Sequence, residues 1–133
     1  MRSGRAGLAL GAALALSASA AAAPGPTEDY LLHCSGCHQQ DGAGVPGMVP
    51  PLSGLAPFLA TRAGRAYLVR VPGVAQAALD DDRLAVLLNW VIREMSGAAP
   101  EPAYAASEVR ALRAEPLRDA PAQRSAALEG RTR

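Results

Sequence analysis

The sequence predicts an all-α protein. Leu84, Leu87, Leu88, Val91, Ile92 and Met95 recur at spacings of three and four, the period of one face of a helix. No stretch alternates apolar and polar residues as a half-buried strand would, and no segment repeats another. Clusters of Pro and Gly divide the remainder into short pieces, several of which open on residues that cap helices.

Taken in order, the first piece is a leader. Arg2 and Arg5 form a positive start, and Ala6 to Ala18 is an Ala/Leu run without a charge. Ala18-Ser19-Ala20 and Ala21-Ala22-Ala23 both offer the small-x-small pattern a signal peptidase accepts. The apolar run is shorter than the ~20 residues of a membrane span, and Pro24-Gly25-Pro26 closes it. Residues 1–23 are therefore expected to be a signal peptide, leaving an exported chain with no stable membrane insertion. Residues 27–34 (TEDYLLHC) predict a helix capped by Thr27, with acidic residues in its first turn and Tyr30 and Leu31 on its apolar face. Residues 41–57 hold four Gly and four Pro, which predicts a loop without regular structure. Phe58 to Arg62 and Ala66 to Arg70 read as short helical pieces, broken at Gly64 and Pro72. In the clearest helix, Asp80-Asp81-Asp82 supplies the cap and a negative first turn, and Gly97 stands where a C-terminal glycine belongs. Beyond it, residues 107–115 and 120–129 predict two further helices in a segment, 98–133, that either wraps the domain or is mobile.

The 133 residues allow one domain with a tail. The formal net charge of +1 falls to about −1 once Arg2 and Arg5 are removed. That balance argues against a nucleic-acid partner, which calls for many neutralised phosphates. Aromatic residues make up only 4% of the chain. Large rings bury roughly 150–250 Å² each, so this core is short of material unless a group that is not an amino acid fills its centre.

The two cysteines supply a candidate. They stand in Cys34-Ser35-Gly36-Cys37-His38, the C-x-x-C-H spacing of c-type haem attachment. Two intervening residues let both sulfurs reach the vinyl groups on one edge of a porphyrin, and the adjacent His projects from the same turn onto the iron. A disulfide would close too short a loop to stabilise much. A redox dithiol of the thioredoxin kind belongs in a βαβ pattern that is absent here. Zinc would need four protein ligands, and only His33 could join Cys34, Cys37 and His38. Asp80-Asp81-Asp82 lacks the spaced oxygens of a calcium loop. The arginines Arg62, Arg65 and Arg70, and those of the tail from Arg110 onward, read as solvated charged surface.

With the motif, the stretch Gln39 to Gly47, Pro50-Pro51-Leu52-Ser53-Gly54 and the helix Leu84 to Met95 with Trp90, the chain resembles the class I cytochrome c family, in its small bacterial periplasmic monohaem branch. The resemblance covers about residues 27–96 and implies a cytochrome c domain over 24–97, with 98–133 as an extension. It implies one haem c, attached through Cys34 and Cys37, with His38 as proximal iron ligand. Pro51 and Leu52 would belong to the loop on the His side, and the helix carrying Trp90 would cross the first helix near Tyr30. Family members usually place a Met-Pro pair before the last helix, whereas the matching stretch, residues 70–76, has Val71-Pro72. The sixth ligand is then Met48, in the Pro/Gly loop, or Met95, or His33, or no residue of the protein. The expected function is that of a periplasmic one-electron carrier and not an enzyme, working between redox partner proteins such as a dehydrogenase and an oxidase. The alternatives are a haem protein whose open site binds a small ligand, or a cytochrome subunit of a dehydrogenase complex.

Overall fold

The computed structural model describes residues 23–130, so the expected signal peptide lies, save for its last residue, outside the described residues. Among them eight α-helices and one 3₁₀ turn follow one another, and no strand forms beyond a single bridge between Val45 and Val49.

Helix α1 (Pro26–His33) begins two residues earlier than a cap at Thr27 would dictate. Gly25 is the N-cap and Pro26, whose fixed φ suits a first helical position, opens the helix. The Glu28 carboxylate accepts from the Gly25 N–H at 3.1 Å, so the acid does the work expected of Thr27. A single further turn, α2 (Ser35–His38), carries the rest of the cysteine motif. The Pro/Gly-rich stretch is less irregular than its composition predicts, since a 3₁₀ turn forms at Leu52–Gly54 and α3 (Ala56–Leu59) follows.

Gly64 does not break the next helix. Helix α4 (Arg62–Arg70) runs straight through it, capped by Thr61, whose Oγ1 accepts from the Gly64 N–H at 2.9 Å. The glycine is there because α4 lies against α3: a Cβ at Gly64 would come within 2.1 Å of the Phe58 carbonyl oxygen. Pro72 ends α4 and opens α5 (Pro72–Ala75), a helical turn that the Pro-Gly pair conceals in the sequence. Helix α6 (Asp81–Ser96) is as its pattern predicts, with Asp80 accepting from the Arg83 N–H at 2.8 Å and Gly97 left-handed at φ 64°. Helices α7 (Ala106–Arg113) and α8 (Ala120–Leu128) complete the described chain.

The core is shared by all of it. Tyr30, Phe58, Val69, Leu84, Ile92 and Val109 are its most completely buried side chains. Helix α1 crosses α6, with the Tyr30 and Trp90 rings 5.7 Å apart and the buried Asp29 paired to Arg83. Helix α7 packs on α6 and α4, and α8 packs on α4 and α3, so the segment after Gly97 wraps the body of the protein. The arginines are not simply solvated. Arg65 lies 4.1 Å over the Tyr104 ring and pairs with Glu108 at 2.8 Å, its side chain only 11% exposed. Arg124 lies 4.8 Å over the Phe58 ring. Cations with long stems cover apolar rings here because few aromatic residues are available to do so.

Candidate functional site

The motif is shaped by two short helices meeting at Cys34, which closes α1 and opens α2. Both cysteines are free thiols, Cys34 half-buried and Cys37 exposed. Burial pushes the Cys34 thiol up to about 11, with the carboxylate of Asp29 adding to the effect. His38 is half-buried, and burial pulls its pKa down, opposed in part by its hydrogen bond to Pro50. That bond runs from Nδ1 to the Pro50 carbonyl oxygen at 3.2 Å. A carbonyl only accepts, so the proton sits on Nδ1 and Nε2 keeps its lone pair. The loop that brings Pro50 here is held to the motif by Gly44, which donates to the His38 carbonyl at 2.9 Å. Its φ is 70° and a Cβ there would come within 2.3 Å of the Val49 carbonyl oxygen, so only glycine fits.

Cys34 and His38 face one cleft. Its other walls are Tyr30 from α1, Leu52 from the 3₁₀ turn, Gly73 and Val74 from α5, Ala77 beyond it, and Leu84, Leu87, Leu88 and Val91 from α6. Apart from the motif and the Tyr30 hydroxyl, which donates to the Gln39 carbonyl at 2.6 Å, the lining is aliphatic. Of the other expected ligands, none lines this cleft. Met48 is 80% exposed at the tip of its loop. Met95 packs on the core beside Gly42, whose added Cβ would lie 3.2 Å from its sulfur and 3.3 Å from Leu52. His33 is half-buried at the end of α1. No three His, Cys, Asp or Glu side chains come together as a metal site among the described residues.

No family model matches the chain. Two curated proteins do, both cytochrome c-552 from Thermus thermophilus. The first is 36% identical over 109 residues, spanning 63% of this chain and 81% of the relative. The second, from a particular strain of that organism, has the same identity over the same length and is covered to 72%. The chain belongs to the class I c-type cytochromes. Crossed α1 and α6, with Tyr30 against Trp90, is the arrangement that family implies, and all-α is its class.

The residues of this cytochrome fit a covalently held haem on its own chemistry: two unpaired thiols, a histidine with a free Nε2, and an aliphatic cleft beside them. Two features escaped sequence reasoning. The Pro50 carbonyl is a backbone group with no signature of its own, and the wall made by α5 looks like a break in the sequence. A Pro at the first helical position after Val71 is the one signal that could have revealed it.

Proposed function

We propose that this cytochrome is an exported monohaem carrier of single electrons, with Cys34 and Cys37 holding haem c by thioether bonds and His38 as the proximal iron ligand. The observation that carries the reading is the Nδ1 hydrogen bond to Pro50, which aims a neutral imidazole into the cleft that Cys34 also borders. Haem bound there supplies a one-electron couple. The protein contributes a fixed ring orientation, an aliphatic surround that excludes water, and attachment that survives a small core.

Partners meet the surface beside the motif. Leu31 and Leu32 are 46% and 72% exposed, and the nearby Gly36, Cys37, Gln39 and Gln40 are exposed and uncharged. Such a face docks by short-range apolar contact and not by long-range steering. Electron transfer to a partner protein is therefore expected to change little between low and moderate salt. A steep fall in rate with ionic strength would point to a charged docking site elsewhere.

Cys34→Ala or Cys37→Ala, made with haem-maturation machinery, tests attachment. Each variant is expected to lose one thioether, seen as a red-shifted pyridine haemochrome, and the double variant to carry no haem through a denaturing gel. Normal haem retention in the double variant would refute the assignment.

A further inference from the structure

A haem held by Cys34, Cys37 and His38, as proposed above, would leave one further ligand position on its iron. Resting on that reading, we propose that the face of the haem turned away from His38 receives no side-chain ligand, and that it takes small neutral diatomic molecules such as carbon monoxide or nitric oxide. The wall of the cleft supplied by the connector between α4 and α6 consists of Gly73, Val74 and Ala77, none of which can ligate iron. None of the three candidate ligands lines the cleft: Met48 stands in solvent, the Met95 sulfur lies against Gly42, and His33 sits at the end of α1.

What keeps that wall in place is Arg113, at the end of α7. Its Nη2 donates to the Ala77 carbonyl at 2.7 Å, its Nη1 to the Leu79 carbonyl at 2.8 Å, and its Nε to the Ala75 carbonyl at 3.1 Å. Asp81 sits beside it at 3.4 Å. One guanidinium thus gathers three carbonyls of the connector, a use of its planar fork that lysine cannot copy. The next residues of the tail tighten the hold, since the Leu117 N–H donates to the Arg70 carbonyl at 2.8 Å and Arg70 Nε to the Glu115 carbonyl at 2.6 Å. The connector is therefore strapped at both ends, and Arg113 is a positioning residue for the wall.

The chemistry of the wall selects the ligand. Polar bound ligands are favoured by a hydrogen-bond donor above the iron, and peroxide cleavage needs an acid–base group there. The side chains of Gly73, Val74 and Ala77 provide neither, which favours neutral, weakly polar diatomics.

The test uses the full exported holoprotein. A pyridine haemochrome first establishes covalent attachment, and absence of bound haem overturns the attachment reading and this proposal with it. Dithionite-reduced protein is then titrated with carbon monoxide. A high-spin reduced spectrum with a Soret band that sharpens and shifts to saturation is expected. Attached haem with a low-spin spectrum that carbon monoxide leaves unaltered overturns the proposal alone, and Met48→Ala or Met95→Ala would then find the ligand. Arg113→Ala is expected to speed carbon monoxide association several-fold at unchanged haem content, and Arg113→Lys to restore only part of the slow rate. Identical association rates in all three proteins would remove Arg113 from the account.

Discussion

Gly64 and Asp81 show how single residues set the geometry on which the cleft depends. In the interior of an exposed helix, Gly→Ala gains about 1 kcal/mol. Gly64 lies where the added carbon meets the backbone of Phe58, 2.1 Å from its carbonyl oxygen and 2.7 Å from its Cα. Backbone cannot swing aside, and overpacking costs about 1–3 kcal/mol or more, so the clash outweighs the gain. Gly64→Ala is expected to lower the melting temperature by several degrees, and a higher one would mean that α3 and α4 can separate freely. Asp81 receives Arg110 at 2.8 Å and Arg113 at 3.4 Å, which together hold its carboxyl below the ordinary aspartate value of 3.8. A carboxyl whose folded pKa is depressed stabilises the fold above its unfolded value and loses that contribution as pH falls through the folded one. The protein should therefore lose stability on acidification below about pH 4, and Asp81→Asn should flatten that part of the profile. An identical acid limb in the variant would show that Asp81 contributes nothing to it.

At the scale of elements, α6 was the most legible part of the chain and α5 the least. Six apolar residues at helical spacing, an aspartate cap and a terminal glycine all agree over Asp81–Ser96, and agreement between local signals is what makes an element readable. Asp80→Ala should cost about 1 kcal/mol, the ordinary value of a cap, measurable by denaturant unfolding. A loss below a few tenths would mean that Asp81 or Asp82 takes over. The first motif helix was legible too, and the C-x-x-C-H spacing places Cys34 and His38 on a shared face, although α2 itself was not predicted as a helix. The α5 wall was not, since Pro72-Gly73 reads as a break and the group that shapes the wall, Arg113, is 36 residues from the carbonyl of Ala77. Long-range contacts to backbone leave no periodicity to find. The same holds for Gly64, whose role is a close approach to another helix and not flexibility.

The whole molecule is held together by its last third. Tyr104, Val109, Leu117 and Ala127 belong to the same buried cluster as Tyr30 and Leu84. Asn89 exchanges two hydrogen bonds with the Tyr104 backbone at 2.9 and 2.8 Å, fastening the returning chain to α6. Burying one large apolar side chain is worth about 1.5–3 kcal/mol, against a total stability of about 5–15 kcal/mol. Ending the chain after Gly97 is therefore expected to abolish cooperative thermal unfolding as followed by circular dichroism. A sharp transition in the shortened protein would show that α1 to α6 are a sufficient folding unit.

Arg113 grips oxygen atoms of the main chain and ignores the side chains they belong to. The side chain at 77, whose carbonyl is held, and that at 74, next to the held carbonyl of Ala75, can therefore change while the path of the connector stays fixed. That makes the wall a place where evolution or a protein engineer can rewrite the haem's chemistry one residue at a time. Val74→Met or Ala77→Met would bring a thioether to the cleft on an unchanged scaffold, turning a binder of gases into a low-spin shuttle without rebuilding the fold.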